Sequence, residues 1–468
     1  MSVVWTVARQ LMAECVRMKV AVVFVLLLAL LLLGLPFAVQ KHGPLTDAVQ
    51  SFLSYSLSAT GLLLGILTVF LARSLADEMV NRQILVVMAK PVPRWQFILG
   101  KWVGMNVLNV VFLAFSALVI YGAVYYLRAT HPPVDEELDR TRLAEEVLVA
   151  RQAVQFRLPD FEAMAEREFQ RRLEVGAYDD VMDFDAAKER QRLAKRVEAE
   201  WRVVGPYEVR VFQFENVLCD RRPESTLQIR YKTEVYNYAP DEVFRAVWWI
   251  GDPEQGTPVY ECRTRHIVGR YHTVTVPADA VAPDYTLTVR FQNRNPFAGE
   301  PQFRNVIEFL SRDGVEVLFG VGTFEGNLLR LLVLMLCKLM FLSAVALLAT
   351  TLFSFPVACL VAFTIYVLAG TRGFILESLD FASADQAGWF TSAKEFAVHL
   401  IRSVYSTVSV ILPDFGYYDG VETLVNGRNV TLRWVLEGVV SVGFLRTGCL
   451  LGLAMLLFHR REVSEVSV

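Results

Sequence analysis

Apolar positions fall into long unbroken runs toward both ends of the chain and into short alternating runs in the middle. Six long runs, 20–39, 52–72, 102–127, 328–352, 355–370 and 439–459, are predicted to cross a membrane, because about 20 apolar residues of helix span ~30 Å of hydrocarbon. Ahead of the first run, Val4, Val7, Leu11, Cys15 and Met18 recur at helical spacing while Arg9, Glu14 and Arg17 lie elsewhere. That pattern predicts an amphipathic elbow helix in the membrane interface. The run 21–39 is longer than the apolar core of a secretory signal, and no small-residue cleavage site follows it, so it reads as a retained span. Gly61 and Gly65 have small-xxx-small spacing, which lets a neighbouring helix approach closely, although glycine is also simply common in membrane helices.

Between the third and fourth runs the pattern changes twice. Residues 134–202 interleave acidic and basic side chains, and Leu143, Val147, Ala150 and Val154 are spaced like one helical face. A helical stalk is expected there. From Pro206 onward the period becomes two: Val209 and Val211, then Leu227, Ile229 and Tyr231, Val274 and Val276, and Leu287, Val289 and Phe291 alternate with polar residues. Turn residues at 220–223, 237–240, 251–253, 293–296 and 313–314 separate these runs, which predicts an antiparallel β-sandwich over 206–320. The expected organisation is a membrane half at 1–127, an inserted α+β domain at 128–327 and a second membrane half at 328–468.

Composition fits this division. The chain is 54% hydrophobic and its mean hydropathy is +0.37, values that a soluble globular protein rarely reaches. A net charge of -3 gives no footing for nucleic-acid binding. Basic residues set the expected orientation. Arg9, Arg17 and Lys19 precede the first span, Arg73, Arg82, Lys90, Arg94 and Lys101 lie in the connection 73–101, and Arg460 and Arg461 end the last span. The opposite side has Lys41 in the loop 40–50 and five basic residues in the segment 371–436, which is more than twice as long as the connection 73–101. Both termini and the 73–101 connection are therefore expected in the cytosol, and the inserted domain outside it.

The connection 73–101 carries the most informative residues. Asp77 and Glu78 follow the second span, a helix over 75–88 is stopped by Pro91 and Pro93, and Arg82, Lys90, Arg94, Trp95, Phe97, Gly100 and Lys101 follow. This stretch resembles the ABC-2-type permease family, whose members carry an acidic residue after span two and then KP-[VS]-x-R-[WY]-x-[FY]-x-x-GK. Here the matching residues are Glu78, Lys90, Pro91, Arg94, Trp95, Phe97, Gly100 and Lys101. The likeness continues in 338–358, 412–415 and 459–462 and in the amphipathic elbow, so it covers both membrane halves; the long insertion is a departure and leaves the substrate open. The resemblance implies a homodimer or heterodimer of permease subunits in membrane lipid, each touching a separate nucleotide-binding subunit through a coupling helix at 75–87. It implies a bacterial inner-membrane exporter in which ATP and Mg belong to that partner. The chain itself has no G-x-x-x-x-G-K-[ST], since Gly100-Lys101 is followed by Trp102.

Other candidates are weaker. Lys338 and Arg446 sit inside predicted spans, either lining a pathway or bonding to Glu437, Glu377 or a neighbouring helix. Residues 385–411 read as an interfacial or re-entrant helix on the outer side, broken at Pro413 and Asp414. Six cysteines are too few for a disulfide scaffold, but Cys219 and Cys262 form a candidate pair if the inserted domain meets an oxidising compartment. Cys262, His266 and His272 share one parity, yet Gly269 marks a turn and no fourth ligand is evident, so no metal site is expected. No catalytic constellation stands out. A second reading keeps the architecture but drops transport: the membrane part transmits force to an outer domain that binds an envelope protein.

Overall fold

Helix α1 (Val3–Arg17) buries Val7, Ala8, Leu11 and Cys15 along one stripe. Helix α2 (Val20–Val39) is apolar on every side, and only 17% of its most apolar window is buried, so it is a peripheral helix whose surface suits hydrocarbon. Helix α3 (Leu45–Leu71) continues after Ala72 into α4 (Arg73–Val80). Helix α5 (Arg94–Thr130) is 37 residues long. The described residues are 3–17, 19–39, 44–81, 93–130, 136–176, 185–220, 225–235, 243–267, 269–295, 306–309, 314–373 and 412–460 of a computed structural model. They divide into two compact units, 1–150 with 322–468, and 151–321.

The first unit is completed by α6 (Glu136–Arg142), α9 (Phe324–Leu352), α10 (Phe355–Gly370), α11 (Val421–Val425), α12 (Leu432–Gly438) and α13 (Thr447–Arg460). A π-helical stretch, Val439–Arg446, joins α12 to α13. Helix α9 has 67% of its apolar window buried, which makes it the central helix. Five helical segments are long and apolar enough to cross a membrane: 22–39, Leu45–Val80, Arg94–Thr130, Phe324–Leu352 and Leu432–Arg460. The fifth predicted span is α10, which has 16 residues, or about 24 Å of helix at 1.5 Å per residue, less than the ~30 Å hydrocarbon core. Phe353 and Ser354 separate it from α9, and Ala369 near its end accepts a hydrogen bond from Phe415, whose ring packs on Phe341 in mid-α9. Helix α10 therefore turns back along α9 and, as far as Gly370, reaches only its middle.

The second unit contains a helical hairpin, α7 (Phe161–Glu174) and α8 (Ala186–Arg202), capped by Asp160 and Asp185. Its own core is small: Ala165, Phe169 and Leu193. Ten strands follow the alternating pattern: β1 (Val149–Gln155), β2 (Val203–Val204), β3 (Val209–Phe214), β4 (Thr226–Val235), β5 (Val243–Ile250), β6 (Tyr260–Ile267), β7 (Tyr271–Pro277), β8 (Leu287–Asn293), β9 (Ile307–Phe309) and β10 (Val315–Thr323). One sheet runs β1-β10-β4-β9-β2 with β7 also on β4, and the other runs β3-β8-β5-β6. The two sheets face each other through Trp248, Phe291, Phe212, Phe309 and Tyr231; the Tyr231 and Trp248 rings are 4.4 Å apart. Gly251 (φ 113°) closes the β5 end, where a Cβ would lie 2.1 Å from the Pro258 carbonyl oxygen.

The predicted stalk needs one correction. Leu143 and Val147 are helical, in a π turn after α6, but Ala150 and Val154 belong to strand β1. Four apolar residues at near-helical spacing also fit a helix that stops at Leu148 and a strand that begins at Val149, and pairing of β1 with β10 decides between the two.

Candidate functional site

The N-terminal end of α5 carries a buried charged cluster. Lys101 is fully buried. Its ammonium donates to Ser74 Oγ at 2.7 Å and to Glu78 Oε1 at 2.9 Å, and lies 3.7 Å from Glu14 Oε2. Ser74 Oγ donates to Glu14 Oε2 at 2.6 Å, and the Gln10 amide lies 3.4 Å from Glu78 Oε1. Glu78 is 4% exposed, and its Oε2 has no hydrogen-bond partner among the described residues. One lysine thus ties α1, α4 and α5 together. A buried charge is tolerated only when paired and hydrogen-bonded, so these contacts hold one another in place.

Glycine allows this approach. A Cβ on Gly100 would sit 2.7 Å from Val7 Cβ, and one on Gly104 would sit 2.9 Å from the Ala8 carbonyl oxygen. Gly65 has the Tyr366 ring 3.4 Å from its Cβ position, whereas Gly61 has only the Met335 methyl at 3.8 Å. The tight small-xxx-small pair is therefore Gly100/Gly104.

The other predicted coupling residues divide by exposure. Asp77 pairs with Arg73 on the surface at 3.2 Å. Arg94 donates to the His459 carbonyl at 2.8 Å, tying the start of α5 to the end of α13, and Trp95 is exposed. Pro93 precedes α5. Arg82, Lys90, Pro91 and the 81–87 part of the predicted coupling helix beyond Asn81 lie outside the described residues, as does 385–411.

A second cluster lies beside the middle of α9. Lys338 Nζ is 3.7 Å from Asp419 and 5.9 Å from the centre of the Phe415 ring. The sequence left Glu437, Glu377 or a neighbouring helix open as partners for Lys338 and Arg446; Asp419 is the carboxylate beside Lys338 among the described residues, and Glu377 lies outside them. Pro413 and Asp414 open a turn in which Asp414 Oδ1 accepts from the Tyr417 amide at 2.9 Å. Glu437 accepts from the Tyr418 hydroxyl, and Arg446 donates to Ser441 at 2.7 Å across the π turn. Asn327 and Arg330 of α9 hold the same segment through Arg428, Asn429 and Val430. Buried irregular backbone needs hydrogen-bond partners, and Asn327 and Arg330 supply them to the Arg428 and Val430 backbone groups. The π stretch ends at Arg446, and π turns occur often at functional sites.

Cys219 and Cys262 both belong to or border the sheet core and carry no disulfide. Cys262 and His266 are on β6, while His272 is across the Gly269 turn on β7 and contacts the Ile267 carbonyl. No three potential metal ligands converge among the described residues. Sequence reasoning missed Glu14, Ser74, Asp419 and Arg330. The first two had a usable signal, because Ser74 and Glu78 are one helical turn apart and a lysine inside an apolar helix needs carboxylate partners. No known protein family, curated protein or solved structure matches the chain.

Proposed function

We propose that this chain is the membrane-spanning subunit of an ABC-2-type exporter in a bacterial cytoplasmic membrane, driven by a separate nucleotide-binding subunit. The observation that carries the reading is the Lys101 cluster, which makes α1, α4 and α5 one mechanical piece at one end of the helix bundle. A push on the α4 end would then move two long membrane helices and the interfacial α1 together, rather than bend a loop. Glu78 and Lys101 are buried, so in this reading they position the coupling element; Asp77, Val80 and Trp95 are exposed and would meet the partner. In this reading both termini and the α4 end lie in the cytosol, the side that the distribution of basic residues favours. The Lys338–Asp419 pair, Glu437 and Arg446 would then lie along the route of the exported molecule.

The test is purification of the tagged full chain from its native membranes. A nucleotide-binding ATPase should accompany it, and Asp77→Lys with Val80→Asp should release that ATPase while leaving the chain folded. Recovery with no ATPase, or an association indifferent to both changes, counts against the reading. The separate aromatic core of 151–321 favours a second reading, in which that unit grips an envelope protein and nothing is exported. Comparing the proteins retained by the full chain and by one lacking 151–321 tells the two apart.

A further inference from the structure

The outer face of the four-stranded sheet is strongly basic. Phe244, Ala246, Trp248 and Ile250 of β5 point into the core, so Arg245, Val247 and Trp249 face away from it. In register with them on β6 are Arg265, Arg263 and Glu261, and Arg290 of β8 lies opposite Trp249. Arg294 donates its backbone amide to Arg245, which brings a fifth arginine to the same corner. Two carboxylates answer them: Glu261 pairs with Arg263 at 2.8 Å, and Asp252 lies 3.6 Å from Arg290. Arg294 shares Glu261 with Arg263 through its charge, whereas Arg245 and Arg265 have no ion pair among the described residues and are direct cross-strand neighbours. Like charges placed opposite each other weaken a sheet, so this arrangement is costly unless something acidic covers it.

We infer that this face binds an extended acidic peptide segment of a partner protein, added as a strand beside β6. Strand β6 ends its sheet, and β5 is its only strand partner among the described residues. Arg263 and Arg265 are two residues apart on it, hence about 6.8 Å, which is also the separation of alternate side chains on an added strand. Alternate Asp or Glu residues on the peptide meet both arginines, Arg245 lies one strand further in, and Trp249 offers an apolar surface beside them. The surface lies within the 151–321 unit, and the inference holds with or without export.

The probe is a fluorescent capped peptide of alternating Glu and Val, titrated into the full chain in detergent micelles and followed by anisotropy. Binding is saturable and weakens with salt. It falls at least tenfold in the Arg263→Ser/Arg265→Ser variant, survives in Arg263→Lys/Arg265→Lys, and is lost when Glu is replaced by Lys or when alternate backbone amides are N-methylated. The inference is overturned if the serine variant binds as tightly as the parent, if N-methylation changes nothing, or if dihexanoyl phosphatidylglycerol displaces the peptide at lower concentration than unlabelled peptide does.

Discussion

Replacing Lys101 by Met tests the cluster at the start of α5 most directly. Methionine keeps the unbranched apolar stem and removes the ammonium. Ser74 still donates to Glu14, and Glu14 is 29% exposed in its side chain, so neither is stranded. Glu78 is: it is 4% exposed and keeps only the Gln10 amide, 3.4 Å away. Removing one partner of a buried ion pair costs about 3–5 kcal/mol, because the other charge stays buried without compensation. Glu78→Gln leaves Lys101 with Ser74 and Glu14 and should cost less, about 1–3 kcal/mol. The double variant removes both charges together and should recover most of the loss, giving a coupling energy of at least about 2 kcal/mol. Equilibrium unfolding in mixed micelles with increasing dodecyl sulfate, followed by far-ultraviolet circular dichroism, measures all three. A loss under about 1 kcal/mol for Lys101→Met, or simple additivity in the double variant, would refute a buried pair at this position.

Three further outcomes follow from the same packing and charges. Gly104→Val should push α1 away from α5, since even a Cβ meets the Ala8 carbonyl oxygen at 2.9 Å; a cysteine pair across α1 and α5 should then crosslink more slowly than in the parent, and an unchanged rate contradicts the contact. Trp248→Ala empties the centre of the sheet core and should destabilise the 151–321 unit by about 3–5 kcal/mol, read as a lowered calorimetric transition. In the α7/α8 hairpin, Gln170 and Arg190 lower the pKa of Glu166, Arg171 and Arg172 lower that of Glu168, and the Lys188 amide lowers that of Asp185. Groups with depressed folded-state values stabilise above their unfolded values near 4 and lose that contribution as pH falls through the folded ones. Protection factors for amides in α7 and α8, each referred to the intrinsic exchange rate at that pH, should therefore fall between pH 5 and 3 before those of the sheets do, and equal protection factors at both pH values contradict it.

Much of this was legible in the chain because the signals are local. A run such as 20–39 is apolar on every face and has no other use in water, and the period-two runs at 227–231 and 287–291 can bury only one face of a strand. The amphipathic stripe of α1 was equally plain, and Val7, Leu11 and Cys15 are its buried residues. Where two local patterns agree, sequence does not choose: Ala150 and Val154 suited a helix and became a strand once β10 was beside them.

The sequence by itself determined the long apolar helices, the alternating strands and the presence of charges too costly to leave bare in such surroundings. It did not determine which partners those charges take. Lys101 finds Glu78 and Glu14, and Lys338 finds Asp419, across gaps of tens of residues that no periodicity spans. Nor did it determine that α10 stops beside the middle of α9. Hydrophobic burial is non-directional and can be read as a pattern along one segment, whereas ion pairs, cross-strand neighbours and close helix contacts exist only between segments, so tertiary packing alone decides them.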